Sequence, residues 1–196
     1  MKEREISSVK NNLHPRNKNR YQYDLSALLK EFPALKKYIK VNKYGEDSIR
    51  FSDPAAVKLL NKALLSNYYG IKNWDFPDTN LSPPIPSRAD YIHYIADLLE
   101  ENNSITCLDI GVGANCIYPV LGISEYQWTF IASDIDADFI ASARGIINKN
   151  TNLKGKVKFR LQKDRSKIFK GIIKPQDKID VSICNPPFHS SKKDAL

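Results

Sequence analysis

The tetrad Asn185-Pro186-Pro187-Phe188 follows the apolar run Ile179 to Cys184 and combines residue types suited to one kind of chemistry. At the end of a buried strand, such a turn can aim the Asn185 side-chain oxygen and the Pro186 carbonyl at one point. There they accept both hydrogens of an amino group conjugated to a ring, and Phe188 can stack on that ring. Proline fixes φ and removes a donor, so the loop offers acceptors without a competing amide. The pattern suits methyl transfer to a planar nitrogen, with Asn185, Pro186 and Phe188 as the catalytic set. A plainer reading makes it a strand-ending turn beside a core phenylalanine, and the rest of the chain decides between the two.

A donor site is expected at Asp109-Ile110-Gly111-Val112-Gly113-Ala114-Asn115-Cys116, where an earlier apolar strand ends. Glycines here let backbone approach a ligand closely, and open amides of the following helix favour polar or anionic groups. Cys116 stands where the dinucleotide fingerprint has its third glycine. The Asp-x-Gly-x-Gly form instead suits S-adenosylmethionine, which has an amino-acid end to hold and no pyrophosphate. Asp134 lies about twenty residues beyond the glycines, where a carboxylate can accept hydrogen bonds from ribose hydroxyls. Its alternative role is to cap the helix that follows, and Asp136 is the competitor for the ribose. Asp109, Gly111, Gly113 and Asp134 are therefore the expected cofactor residues. Sulfonium methyl transfer is a displacement on an already activated carbon, so the protein chiefly aligns the groups and steadies developing charge. That chemistry needs no metal, and no residue cluster offers a metal site. His189 is a candidate base, but an arylamine sheds its proton readily once methylated, and a loop histidine touching RNA is the alternative.

The elements that must position these residues can be read from patterning. Ile105 to Ile110, Trp128 to Ser133, Lys156 to Gln162 and Lys178 to Cys184 are apolar strands alternating with helical segments. Such alternation predicts a parallel sheet covered by helices, with all three motifs at carboxyl ends of strands. Upstream, Asp24 to Phe32 and Ala34 to Ile39 read as short helical pieces broken by Pro33. Asp53-Pro54 starts a helix with Val57, Leu60, Leu64 and Leu65 on one face, and Gly70 ends it. Residues 71–87, with Trp74, Pro77, Pro83, Pro84 and Pro86, form a rigid connection. Ser87 then opens another helix, with Asp90 completing an imperfect capping box. The expected division is a basic, mostly helical extension over 1–86 and a cofactor-binding core over 87–196.

Composition narrows the partners. The 196 residues carry a net charge of +8, and residues 1–50 hold 12 Lys/Arg against 6 Asp/Glu. Residues 1–20 are polar, and a mobile tail is expected there until something binds. Within it Arg16, Lys18 and Arg20 beside Tyr21 suit phosphate contacts and base stacking on RNA, the alternative being a solvated tail. No apolar run is long enough for a membrane span and the start carries no secretory pattern, so the cytoplasm is expected and no membrane partner. Cys107, Cys116 and Cys184 form no CxxC pair and read as packing residues.

Taken together, these motifs resemble the bacterial 23S ribosomal RNA adenine-N(6)-methyltransferase family, whose eukaryotic relatives methylate spliceosomal RNA. The resemblance runs from Leu13 to Lys193 and rests on Leu13-His14-Pro15-Arg16-Asn17, Phe51-Ser52-Asp53-Pro54, Pro86-Ser87-Arg88-Ala89-Asp90-Tyr91-Ile92-His93, Asp109 to Pro119 and Asn185 to Phe188. It implies a class I methyltransferase fold, a Rossmann-like α/β parallel sheet, with S-adenosylmethionine as donor and adenine in 23S ribosomal RNA as acceptor. It further implies that Arg88 approaches the cofactor's carboxylate; from spacing alone Arg88 is a surface charge in a first helical turn. Class I enzymes continue beyond the fourth strand, whereas here four strands are counted, expected in the order 3-2-1-4. The strand Ile179 to Cys184 then becomes an uncovered edge open to pairing, and the chain is expected to be a shortened piece of a longer enzyme. Asn-Pro-Pro-aromatic turns also serve guanine amino groups and the glutamine amide of release factors, and a non-catalytic RNA-binding fragment is the reading from another class.

Overall fold

The computed structural model describes residues 9–42, 45–99 and 104–186. Helix α1 (Leu25–Glu31) starts where the Asp24 carboxylate accepts the Ala27 amide at 3.0 Å. Pro33 then opens a 3₁₀ turn over Pro33–Tyr38. A two-stranded antiparallel ribbon follows, β1 (Ile39–Val41) with β2 (Asp47–Ile49). Helix α2 (Pro54–Tyr69) is capped as its sequence dictates: Asp53 Oδ1 accepts the amides of Ala55 and Ala56, and Gly70 closes the helix at φ 70°. Only glycine enters that left-handed region without strain.

After the proline-rich connection comes α3 (Ile85–Leu98), then alternating strands and helices: β3 (Thr106–Ile110), α4 (Ile117–Tyr126), β4 (Thr129–Asp134), α5 (Ala137–Lys149), β5 (Val157–Leu161) and β6 (Val181–Cys184). The four strands are all parallel in the order β5-β4-β3-β6, which is the expected third-second-first-fourth arrangement. Helix α4 lies close on the sheet because Gly122 has no side chain. A Cβ there would sit 2.6 Å from Phe130 Cζ, inside contact distance.

Burial divides the apolar residues into three clusters, and α2 serves two of them. Leu60, Ala63 and Leu64 pack with Leu28, Leu35 and Ile49 of the extension. Leu65 and Tyr69, one helical face round, join Ile71, Trp74 and Phe76 in the core against the sheet. The opposite sheet face is covered by the segment after β5, with Ile172 buried on Leu108 and Ile131. The extension and the sheet thus share one helix.

Three expectations need correction. Residues 9–20 are folded onto the protein, with His14, Asn17 and Asn19 buried. Most of their polar groups are satisfied by α3, by Tyr69 of α2 and by the chain's own turns, which offsets much of the cost of removing them from water, while Asn19 Oδ1 has no partner among the described residues. Helix α3 starts at Ile85 rather than at Ser87, since a proline in the first turn gives up no needed donor; the Ser87 hydroxyl donates back to the Pro84 carbonyl at 3.1 Å, and Asp90 faces the N-terminal segment. Of the cysteines, Cys107 and Cys116 are buried, but Cys184 is exposed because it ends the edge strand at the lip of a cleft.

Candidate cofactor and acceptor site

The loop after β3 is built from both glycines and its neighbours. Gly111 and Gly113 hold φ of 79° and 64°, and a Cβ on either would meet nothing within 4 Å. Conformation, rather than packing, requires glycine here, and the space over them is left for a ligand. The loop amides themselves are used internally: Gly111 and Val112 both donate to the Ser133 carbonyl at 2.9 Å, and Gly113 donates to Asp134 Oδ2 at 2.9 Å. Cys116, at the third glycine position, takes the left-handed conformation at φ 52° at the start of α4, where Asn115 Oδ1 accepts the Ile117 amide at 3.1 Å. A non-glycine residue there costs about 1 kcal/mol or more, held in place by the surrounding structure.

Asp134 ends β4 with each carboxylate oxygen engaged once, Oδ2 by Gly113 and Oδ1 by the Asp136 amide at 3.0 Å. A carboxylate accepts about four hydrogen bonds, so lone pairs remain for a diol. Asp136 performs the capping role instead, accepting the amides of Asp138 and Phe139 at the start of α5. The capping role that sequence left open for Asp134 thus falls to Asp136.

Asp109 lies near the end of β3, 1% exposed, and neither carboxylate oxygen has a hydrogen-bond partner among the described residues. Burial, with the Asp134 charge adding to it, pushes its carboxyl up to about 8. An orphaned buried acid beside a ligand cleft suits a cationic group brought by the ligand. Arg88, in the first turn of α3, sits 5.7 Å over the Tyr118 ring. Tyr118 in turn contacts Tyr91 with ring centroids 5.2 Å apart. Asn185 and Pro186 follow β6 directly.

One cleft joins most of these groups, while Asp109 lies buried behind the lining residues Ile110 and Gly111. The volume of the cleft is about 2430 Å³, and Arg88, Gly111, Gly113, Asp134, Asn185 and Pro186 all line it. Lys72, Lys149, Arg165 and Lys167 line it too and have no ion-pair partner among the described residues. Phe188, Pro187 and His189 lie outside the described residues. No group of three metal-ligating side chains occurs among the described residues, and no described helix is long and apolar enough to cross a membrane.

The cations expected to meet RNA stand on a different face. Arg16 pairs with Asp97, donates to Tyr126 Oη at 3.0 Å and reaches the His93 carbonyl at 3.2 Å. Lys18 pairs with Glu125 at 2.6 Å, while Arg20 has no carboxylate partner among the described residues and contacts the Pro15 carbonyl at 3.4 Å. His14 accepts the Arg16 amide on Nδ1 at 3.1 Å and therefore donates from Nε2 to Asp97 at 2.9 Å. His93 beside it is fully buried, and burial with His14 next to it lowers its pKa to about 4. Sequence reasoning also missed Trp74, whose indole donates to the Asn115 carbonyl at 2.7 Å and so ties the connection to the glycine loop. A tryptophan within a proline-rich connection was the available signal, since a buried indole seeks an acceptor.

The family model described as RNA methyltransferase matches residues 7–196. The ribosomal RNA large subunit methyltransferase F of Bacteroides fragilis is 54% identical over 201 residues, covering 95% of this chain and 66% of that protein. Its namesake in Vibrio campbellii is 49% identical over 97% of this chain and 51% of its own length. The chain thus spans between about half and two thirds of the curated relatives it matches. Among solved structures, the N-terminal domain of human METTL16 in complex with SAH is similar at a TM-score of 0.80 and 30% identity, covering 90% of this chain and 70% of that one. The hMettl16 catalytic domain in complex with a MAT2A 3'UTR hairpin is similar at 0.80 and 31%, covering 93% and 62%. With a family model spanning nearly its whole length and relatives sharing half its residues, the chain belongs to the RNA methyltransferase family.

Proposed function

We propose that this chain is the donor-binding and catalytic part of a cytoplasmic RNA adenine-N(6)-methyltransferase that acts on 23S ribosomal RNA. The observation that carries the reading is the shared cleft, in which Asn185 and Pro186 line the same space as Arg88, Gly111, Gly113 and Asp134. The residues present fit S-adenosylmethionine: an orphaned buried carboxyl at Asp109, side-chain-free space over the two glycines, and spare acceptors on Asp134. When bound, that cofactor supplies an activated methyl group. Asp134 accepts the ribose hydroxyls, Arg88 faces the carboxylate, and Asp109 answers the ammonium group. Asn185 Oδ1 and the Pro186 carbonyl accept the two hydrogens of the adenine amine, which orients its nitrogen and favours the positive charge that grows there. Phe188 stacks on the base.

RNA contacts are drawn from two faces. Arg16, Lys18 and Arg20 remain candidates, though Arg16 and Lys18 already neutralise Asp97 and Glu125. Lys72, Lys149, Arg165 and Lys167 line the cleft without such partners and are the stronger candidates for phosphate contacts near the reacting base. The relatives named for large-subunit ribosomal RNA methylation and the RNA-bound structural neighbour support an RNA acceptor. Calorimetry with S-adenosylmethionine tests the reading: the parent binds, and Arg88→Ala and Asp134→Ala each bind more weakly. Absence of binding by the parent overturns it.

A further inference from the structure

We infer that Asn17 is a positioning residue for Arg88, acting through the first turn of α3, an inference that rests on the proposed role of Arg88 toward the cofactor's carboxylate. Asn17 is 2% exposed, and both polar atoms of its side chain are used. Its Nδ2 donates to the Pro86 carbonyl at 2.8 Å and to Asp90 Oδ1 at 2.5 Å. Its Oδ1 accepts the Asn19 amide and the Asn19 side chain, each at 2.9 Å. The His14 amide also donates to Asp90 Oδ1, at 2.9 Å. The segment from His14 to Asn19 is in this way fastened to one short stretch of α3.

Helical geometry makes that stretch significant. Residues four apart share a helix face, so Pro86 and Asp90 together form one side of the turn, and Arg88, midway between them, projects from the other. Asn17 grips the back of the turn whose front presents Arg88 to the cleft. A helix start is the least restrained part of a helix, because its first amides lack intrahelical partners. Pro84 at the cap position supplies no side-chain hydrogen bond to them. Asn17 accepts none of those amides but restrains the turn from outside through the Pro86 carbonyl and the Asp90 side chain, and Asp97 farther along α3 anchors the same segment through His14 and Arg16.

The test uses Asn17→Asp, which keeps the shape and turns the donor into an acceptor facing Asp90, and the paired rescue Asn17→Asp with Asp90→Asn. Affinity for S-adenosylhomocysteine is measured by calorimetry in these variants, in Arg88→Ala and in Asn17→Asp with Arg88→Ala. Hydrogen exchange over residues 85–91 is read in the cofactor-free protein. Asn17→Asp should weaken the ligand about tenfold, in line with loss of a hydrogen bond to a charged group, and speed exchange over 85–91. In the Arg88→Ala background it should cost less than about twofold more, because coupled residues are non-additive, and the paired rescue should recover part of the loss, since it restores the contact with position 90 but not the donor to the Pro86 carbonyl. Equal weakening with and without Arg88, or parent-level affinity and exchange in Asn17→Asp, overturns the inference. Parent-level affinity in Arg88→Ala removes the reading of Arg88 itself, and exchange over 85–91 then reports separately whether Asn17 holds the turn.

Discussion

Asp134 Oδ2 accepts the Gly113 amide at 2.9 Å, so the carboxylate that ends β4 also fixes the shape of the loop that ends β3. One residue thereby couples the two halves of the proposed cofactor cradle. Asp134→Ala should weaken S-adenosylhomocysteine about ten- to a hundredfold, since a lost charge-assisted hydrogen bond costs roughly 1.5–3 kcal/mol. Asp136→Ala should leave that affinity near the parent's and lower stability by about 1 kcal/mol through loss of the α5 cap. Calorimetry and thermal denaturation of the two variants check the division; the opposite pattern reassigns the ribose to Asp136.

Removing residues 1–20 should destabilise the protein, because residues 9–20 are docked through His14, Arg16, Asn17 and Lys18 rather than free in solvent. At this size each kcal/mol moves Tm by roughly 2–4 °C, and a fall of at least about 5 °C is expected. Cofactor affinity should fall as well, through α3. Unchanged Tm and affinity in the shortened chain would mean that the segment is a solvated tail after all.

Asp109 predicts a pH dependence. Its folded carboxyl titrates near 8, above the ordinary carboxylate range, because burial and the Asp134 charge oppose ionisation. Between pH of about 4 and 8 the unfolded chain therefore gives up a proton that the folded chain keeps, and stability falls as pH rises through that window. Asp109→Asn should be stabilising in the cofactor-free protein, by an amount that grows from pH 4 toward 8 and then levels, while binding S-adenosylmethionine less well. A Tm difference that stays constant over this range contradicts the assignment.

The sequence made the strands of the sheet and the glycine loop readable because each is signalled locally, whereas the strand order came from the family resemblance. Asp53 and Gly70 cap α2 through bonds to near neighbours, and the β3 to β6 strands show as apolar runs. The docked N-terminal segment left no such signal. His14, Asn17 and Arg16 find their partners at Asp90, Pro86 and Asp97, more than sixty positions away. A polar residue satisfied at that distance looks, in sequence, like one meant for solvent or RNA. The β1–β2 ribbon was missed for a different reason, as its strands of three residues are too short to show alternation. Trp74 lay in plain view, but its acceptor is a backbone carbonyl, which carries no residue-type signature.

Asn185 stands at the cleft between the donor side and the acceptor side of the proposed reaction. Asn185→Ala should lower the rate of methyl transfer at least about a hundredfold, the scale of losing a positioned group that acts on developing charge, with S-adenosylhomocysteine affinity nearly unchanged. Single-turnover kinetics and calorimetry on the same variant check both parts. A rate within about tenfold of the parent removes Asn185 from the catalytic set.

The most direct measurement is nucleoside mass spectrometry of 23S ribosomal RNA, taken from a strain lacking this gene and incubated with the protein and S-adenosylmethionine. The account predicts the gain of N(6)-methyladenosine with the parent and none with Asn185→Ala. Methylation appearing on a guanine amino group instead, or N(6)-methyladenosine formed equally by both proteins, would contradict it.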